Sequence, residues 1–188
     1  FMYIELFLII TIVLYLFVKF FIYKKFGFWA YQPVFHYFNI LYWIYPIGVV
    51  NNKLPKVNKF CNFLNVITNE FELIDEKLIS DNVEFIQNNY YNNNNSKYLP
   101  SIIEFQENLK CNNYKTIISN YYLYNSINTN NTNNINNINN KKIIGIITSK
   151  PLNMNIYNKY YKIYYVDNLC IDKDHRKKNI APELIQTH

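Results

Sequence analysis

An unbroken apolar run near the start of the chain places the strongest constraint on how it can fold. Residues 4–23 read IELFLIITIVLYLFVKFFIY, with charge only at Glu5 near one end and at Lys19 near the other. A helix of about 20 apolar residues crosses the hydrocarbon layer of a bilayer, and a lysine near its end can extend its ammonium group to the headgroups. The run therefore predicts one transmembrane helix, and we expect residues 1–25 to form a membrane anchor.

A cleaved signal peptide is the alternative explanation of this run. Its apolar region would be shorter, would follow positive charge and would precede small residues. Here Lys24 and Lys25 come after the run, and bulky aromatic residues follow them. Positive charge beside a span marks its cytosolic side. We therefore expect a single-pass membrane protein whose remaining residues, 26–188, form one domain that faces the cytosol.

A second apolar stretch covers residues 37–50, is rich in aromatic residues and contains Pro46 and Gly48. It is short for a membrane span, so it predicts an interfacial or re-entrant segment or a buried hairpin. Packing in an ordinary core explains it equally well.

Charge and cysteine content exclude some classes of function. The 188 residues include 19 lysines and arginines against 13 acidic residues, and the excess is scattered apart from Lys24, Lys25 and the basic segment 173–178. The sequence therefore does not favour a nucleic-acid partner. The cysteines are far apart and the histidines are isolated, which favours reduced thiols and predicts no metal site. The chain ends within a predicted helix, so we expect a fragment of a longer product.

Two amphipathic helices are predicted ahead of a set of strands. Residues 71–91 carry apolar residues at helical spacing, with a predicted break near Ser80. Residues 101–109 form a short helix in which Ser101 and Glu104 complete a capping box. We expect both helices to cover a sheet.

Segments rich in isoleucine and tyrosine predict three strands, at residues 114–124, 142–149 and 162–171. An asparagine-rich insert separates the first two, and residues 151–161 read as a longer connection between the last two. The last strand leads into a basic turn and then a helix with Pro182 at its first position. The predicted fold class is mixed α/β (α+β), with a mainly antiparallel sheet flanked by helices.

The strand, turn and helix within residues 166–185 carry the most chemical information. A strand that ends at Ile171 and a helix that starts near Pro182 direct the intervening backbone N–H groups and the helix dipole towards one spot. Arg176 and the two lysines after it add positive charge, which makes this turn a candidate pyrophosphate site. A charged turn that is merely solvated explains the same residues equally well.

The pattern Arg176-x-x-Asn179-x-Ala181 resembles the R/Q-x-x-G-x-G/A turn with which GNAT acyltransferases hold the pyrophosphate of coenzyme A. Asn179 stands at the first glycine position, where asparagine tolerates a positive φ better than most residues do.

Three segments, in the same order, resemble the N-myristoyltransferase family. Residues 26–34, FGFWAYQPV, are similar to that family's Y-K-F-W-x-T-Q-P-V, and residues 142–157 are similar to its K-L-V-G-F-I-S-x-x-P-x-x-x-x-I-Y. Residues 168–185 are similar to its F-L-C-V followed by R-S-K-R-hydrophobic-A-P-x-L-I. The resemblance implies a GNAT-like acyl-CoA-binding domain that begins after the membrane helix.

The resemblance also implies roles for single residues. Backbone N–H groups at Asn168 and Leu169 would form the oxyanion hole that polarises the thioester carbonyl. The thioester and pantetheine would lie along Leu169, Cys170 and Ile171.

The remaining contacts to acyl-CoA are implied at two places in the chain. The CoA phosphates would be held by Arg176, Lys177, Asn179, Ile180 and Ala181. The adenine side and the bend of the acyl chain would contact Gly27, Phe28 and Trp29, where Gly27 replaces a lysine of the family.

The implied reaction is direct attack on myristoyl-CoA by the amine of an N-terminal glycine of a peptide or protein. Myristoyl-CoA is then a co-substrate, no tightly bound cofactor is expected, and Cys170 is not required as a nucleophile. In the family the base is a carboxylate at the end of a second GNAT-like half, so we expect this polypeptide to bind acyl-CoA without necessarily turning it over. A GNAT acetyltransferase for small acyl groups and a degenerate, non-catalytic membrane module are the alternatives, and residues 26–34 argue against the first.

Overall fold

The computed structural model describes residues 2–32, 34, 36, 39, 41–44, 56–90, 97–110, 114–124 and 141–188. The chain divides into two compact units, Phe1–Asn58 and Lys59–His188. Most of the apolar stretch at residues 37–50 lies outside the described residues, as do Cys111 and both asparagine-rich runs.

The first unit is dominated by the predicted apolar helix. Helix α1 (Met2–Phe26) is followed by a 3-10 turn, Gly27–Tyr31, and later by the four-residue helix α2 (Leu41–Ile44). α1 ends directly before Gly27, whose φ of +49° suits the left-handed residue that commonly terminates a helix. Tyr3–Ala30 is long and apolar enough to cross a membrane, with a mean hydropathy of 2.5 and no part of that window buried. The predicted helix is confirmed; its place in a membrane stays a prediction.

The second unit is built on a four-stranded sheet in the order β1-β2-β3-β4, in which every neighbouring pair is antiparallel. Its strands are β1 (Val66–Glu70), β2 (Ile117–Tyr124), β3 (Lys141–Ile156) and β4 (Lys159–Ile171). The predicted fold class is confirmed. β1 escaped prediction because its five residues, VITNE, are too few and too polar to give a clear alternation.

β3 and β4 form a hairpin that is much longer than expected. The prediction that residues 151–161 form a connection is wrong, because both strands continue through them to a two-residue turn at Tyr157 and Asn158. These residues have φ of 50° and 60°, the signs required by the tight turn that joins twisted strands. Pro151 misled the prediction. β2 begins at Ile117, opposite Ser149, so β2 does not pair with β3 at Pro151 and the missing N–H breaks no bond between these two strands.

Two helices cover one face of the sheet. Helix α3 (Glu76–Asn89) is capped by Asp75, whose side chain accepts from the Leu78 N–H at 3.0 Å. The predicted break near Ser80 is wrong: Ser80 lies on the exposed side of a continuous helix, where its polarity does not interrupt packing. Helix α4 (Ile102–Leu109) begins with the predicted capping box. Their apolar residues form one core cluster with the sheet: Ile79, Val83, Phe85, Ile86, Phe105, Leu109, Ile118, Ile146 and Cys170.

Helix α5 (Ile180–Thr187) covers the other face of the sheet. It approaches β3 at Gly145, where an added Cβ would lie 3.3 Å from Leu184 Cδ2 and 3.0 Å from Ile171 Cδ1. Glycine is therefore needed here for close contact between helix and sheet. The second core cluster consists of Val66, Tyr121, Ile144, Ile147, Ile180 and Leu184.

Candidate functional site: the end of β4 and the turn to α5

A bulge interrupts the pairing of β3 and β4 close to the end of β4. Ile146 pairs with Cys170, and Thr148 pairs with Asp167. The single β3 residue between these pairs, Ile147, therefore faces two β4 residues, Asn168 and Leu169. Asn168 has a φ of +51°. A bulge of this kind turns the backbone away from the regular ladder and is common beside functional sites. The structure thus separates β4 from β3 at the two residues predicted to form the oxyanion hole.

Buried hydrogen bonds hold the bulge in this conformation. The Asn168 side chain donates to Thr148 Oγ1 at 3.1 Å, and the Thr148 hydroxyl donates to the Asp167 carbonyl at 3.1 Å. Tyr98 Oη donates to Asn168 Oδ1 at 3.4 Å. Asn168 and Thr148 are both buried, so these bonds satisfy polar atoms that water does not reach.

The backbone N–H of Asn168 already has a partner. It donates to the Asp167 carboxylate at 2.8 Å. A thioester oxygen could use this donor only by replacing the carboxylate. Sequence reasoning missed Asp167, although an aspartate directly before the bulge is a local signal for such a bond.

After β4 the chain is organised by Asp172, a buried carboxylate. It accepts from the Asp174 N–H at 2.9 Å, from His175 Nδ1 at 3.0 Å and from Lys142 Nζ at 3.2 Å. Burial by itself would raise the pKa of Asp172, but these three hydrogen bonds outweigh burial and lower its pKa to about 2. Asp172 is therefore ionised at neutral pH and fixes the start of the basic turn.

Arg176 ties the turn to the end of α3. Its guanidinium donates to the Ile171 carbonyl at 3.3 Å and to the Asn89 carbonyl. The Asn89 side chain in turn accepts from the Lys173 N–H at 3.2 Å. Part of the donor capacity of Arg176 is thus used by the fold, and only the rest can serve a phosphate.

The turn then enters α5 through two left-handed residues, Lys177 with φ of 63° and Asn179 with φ of 62°. The expected positive φ at Asn179 is confirmed. The predicted helix start is wrong: α5 begins at Ile180, and Pro182 is its third residue rather than its first. Proline is tolerated there because no residue of the first turn has an intrahelical partner for its N–H. Ile180 and Ala181 therefore present the first N–H groups of α5.

α5 is fixed to the sheet by a polar contact. Glu183 Oε2 accepts from Tyr121 Oη at 2.9 Å and from Asn62 Nδ2 at 2.6 Å. Burial, together with the neighbouring Glu183 carboxylate, raises the pKa of Tyr121 to about 12, so the phenol keeps its proton. These bonds from Tyr121 and Asn62 to Glu183 fix the orientation of the N-terminal part of α5.

These elements enclose an open cleft of about 690 Å³. It contains eight of the residues predicted to contact acyl-CoA or the thioester: Leu169, Cys170, Ile171, Arg176, Lys177, Asn179, Ile180 and Ala181. Its other lining residues, which the sequence analysis did not select, are Tyr90, His175 and Pro182. The lining includes cations and no carboxylate, and together with the helix N-terminus it suits a phosphate-bearing ligand.

The remaining predicted residues lie elsewhere. Asn168 is a bulge residue whose side chain is buried, and it does not line the cleft. Gly27, Phe28 and Trp29 belong to the first unit, where the Phe28 and Trp29 rings pack edge to face with centroids 5.2 Å apart. Phe28 is buried and Trp29 is 58% exposed.

Cys170 is unsuited to nucleophilic chemistry. Burial raises the pKa of its thiol to about 11, against a smaller lowering by Arg176. Cys61 and Cys170 are both free thiols. Among the residues that the structure describes, no group of three histidine, cysteine, aspartate or glutamate side chains could hold a metal ion.

Comparison with known proteins identifies the family. Residues 50–187 match the family described as myristoyl-CoA:protein N-myristoyltransferase, N-terminal domain. The match begins after residues 26–34, so it does not bear on that segment. A search of the curated proteins gave no match.

Two crystal structures of Saccharomyces cerevisiae N-myristoyltransferase with bound myristoyl-CoA share the fold. The first is 16% identical with a TM-score of 0.57, over 85% of this chain and 34% of the yeast chain. The second is 16% identical with a TM-score of 0.59, over 87% of this chain and 36% of the yeast chain. The chain therefore spans about a third of the yeast enzyme. Because the family match covers well over half of its residues, the chain belongs to the N-myristoyltransferase family and corresponds to that family's N-terminal domain.

Proposed function

We propose that this chain is the acyl-CoA-binding part of an N-acyltransferase that moves myristate from myristoyl-CoA to the amine of an N-terminal glycine. The observation that carries the proposal is the meeting of two features at one cleft: the bulge, which lines the cleft through Leu169, and the cationic turn that opens α5. Acyl transfer from a CoA thioester needs a hydrogen-bond donor that polarises the thioester carbonyl and a site that binds the CoA phosphates.

The phosphates of CoA occupy the turn. Lys177 supplies a charge, and the first N–H groups of α5, at Ile180 and Ala181, supply directed donors. Arg176 acts mainly through its bonds to two backbone carbonyls, which hold the turn in place. The pyrophosphate therefore binds to a preorganised backbone rather than to flexible side chains alone.

The thioester lies beside Leu169, where the bulge exposes the backbone of β4. The amine nitrogen forms a bond to the thioester carbon, the C–S bond breaks, and the thiol of CoA leaves with a proton. The Leu169 N–H at the bulge, and the Asn168 N–H once it has left the Asp167 carboxylate, stabilise the charge that develops on the carbonyl oxygen. No covalent enzyme intermediate is needed, in keeping with the raised pKa of Cys170.

We propose that α1 anchors this activity to a membrane. The helix has the length and hydropathy for a span, and its last turn carries Lys24 and Lys25. Long-chain acyl-CoA and acylated peptides partition to membranes, so an anchored enzyme meets both. The orientation that follows from the positive-inside rule places the second unit in the cytosol.

Isothermal titration of the chain in detergent micelles with myristoyl-CoA and with acetyl-CoA tests this proposal. We expect myristoyl-CoA to bind more tightly, and we expect Lys177→Ala to weaken its binding by about tenfold, because one charge-assisted contact contributes about 1.4 kcal/mol. Lys178→Ala is the matched control, since Lys178 carries the same charge one residue away but does not line the cleft.

Each outcome has a definite meaning. Equal binding of the two thioesters would favour a GNAT acetyltransferase for small acyl groups. A folded chain that binds neither thioester would leave a degenerate, non-catalytic membrane module as the account.

A further inference from the structure

The far half of the β3–β4 hairpin, residues 150–165, is an arm to which the proposed function assigns no role. β2 pairs with β3 only as far as Ser149, so within the described part of the chain the arm consists of two strands alone. Seven residues of β3 extend about 20 Å beyond the sheet. No residue of this arm, all of which the structure describes, belongs to either core cluster, and Tyr157 at its tip is 82% exposed.

One face of the arm is apolar. Leu152, Met154 and Ile156 alternate along β3 and are each about two-fifths exposed. Ile163 lies opposite Leu152, Tyr161 lies opposite Met154, and Lys159 lies opposite Ile156 near the tip, so these side chains share the same face. An aliphatic row of this kind on a strand outside any core is unusual in a soluble monomer.

The other face of the arm is polar. Asn153 lies opposite Lys162, and Asn155 lies opposite Tyr160. Lys162 Nζ lies 3.6 Å from the centroid of the Tyr114 ring, so this face contacts Tyr114 about halfway along the arm. The arm is therefore an amphipathic ribbon with a defined apolar side.

The charge of the arm has one sign. Residues 150–165 include Lys150, Lys159 and Lys162 but neither aspartate nor glutamate. They also include five tyrosines, a residue type that concentrates at the interface between water and hydrocarbon. Lys150 Nζ donates to the backbone and side-chain oxygens of Asn108, and Lys162 lies over the Tyr114 ring, so Lys159 near the tip is the lysine that meets an anionic lipid surface.

We propose that this arm lies on the surface of an anionic membrane. The row of Leu152, Met154 and Ile156 enters the boundary between headgroups and acyl chains, the tyrosines lie at headgroup level, and Lys159, opposite Ile156, faces lipid phosphate and carboxylate groups. A protein partner fits less well, because the buried centre of protein interfaces is depleted in lysine. Membrane contact by the arm depends neither on acyl transfer nor on the span proposed for α1.

Quenching by brominated lipid tests the arm in the full chain. The reporter is Met154→Trp on the apolar face, and the matched control is Asn153→Trp on the polar face one residue away. Each chain, and the parent with its native tryptophans, is reconstituted into vesicles of phosphatidylcholine and phosphatidylserine, with and without bromine on the acyl chains. We expect loss of emission and a blue shift from Met154→Trp beyond the parent, and no added loss from Asn153→Trp.

A charge variant adds a second readout. Lys159→Glu, placed in the Met154→Trp background, should reduce the quenching in phosphatidylserine vesicles, whereas Lys159→Arg should preserve it. Circular dichroism confirms that each variant is folded, and carbonate extraction reports the insertion of α1 separately.

Equal emission from Met154→Trp in vesicles with and without brominated acyl chains would overturn the proposal. The apolar face would then be explained as a surface that another protein segment covers. The lysines would be explained as protection of the edge strand β4 against self-association. Quenching that is unchanged by Lys159→Glu would overturn the electrostatic part of the proposal.

Discussion

The two ends of the β3–β4 hairpin are made from similar residues and have opposite surroundings. At the near end, β2, α3 and α5 enclose the strands, and both core clusters include β3 residues. At the far end the same two strands continue alone, with tyrosine and isoleucine still frequent but exposed. Neighbouring elements, and not residue type, therefore decide which part of the hairpin becomes rigid enough to carry a site.

Substitution of Gly145 should show the largest difference between the two ends. Gly145→Val places new carbon atoms against Ile171 and Leu184, and overpacking of this kind costs about 3 kcal/mol. Asn153→Val puts the same side chain on the exposed arm, where we expect a change below about 0.5 kcal/mol. Chemical denaturation in micelles measures both, and equal losses would contradict the contrast.

Acid should weaken the near end through Asp172. Its pKa of about 2 lies below the ordinary value of 3.8, so its stabilising contribution is fully present above pH 3.8 and is lost as the pH falls through 2. The difference corresponds to about 2 kcal/mol. Asp172→Asn should remove this part of the pH dependence of the free energy of unfolding.

The exposed neighbour Asp174 provides the control for that experiment. Asp174→Asn changes the same charge in the same turn without removing the carboxylate that His175 and Lys142 contact. If both variants flatten the pH profile equally, the Asp172 contacts do not stabilise the turn.

Two asparagines with positive φ give the smallest and most specific comparison. Asn158 at the tip of the arm and Asn168 at the bulge have φ of 60° and 51°. Replacing either with alanine costs about 1 kcal/mol for the left-handed backbone. Asn168→Ala should cost about 1 kcal/mol more, because the buried bond to Thr148 is also lost. Equal costs in thermal unfolding would mean that the buried bonds of Asn168 add nothing.

Local signals made much of the fold predictable. The capping box of α4 depends on Ser101 and Glu104 alone, and the left-handed backbone at Asn179 follows from a residue type that tolerates it. The cleft collects eight predicted residues because they are close in sequence, on one strand end and one turn. Features that depend only on residues close in sequence can therefore be predicted from the sequence.

Features that depend on distant partners were not predictable. β1 is a strand only because β2 lies beside it, and Pro151 is tolerated only because the pairing of β3 with β2 stops at Ser149. The Asp172 contacts join Lys142 to the turn across 30 positions, and Arg176 reaches Asn89 across 87. Nothing in the local pattern marks such pairs before the sheet is assembled.

Hydrogen exchange measured by mass spectrometry, with and without myristoyl-CoA, tests most directly whether the end of β4 and the turn to α5 bind acyl-CoA. The account predicts slower exchange in peptides that cover residues 168–182, where the bulge and the first N–H groups of α5 lie, and unchanged exchange in the arm at residues 150–165. Saturating myristoyl-CoA that leaves residues 168–182 unprotected, or that protects the arm instead, would contradict it.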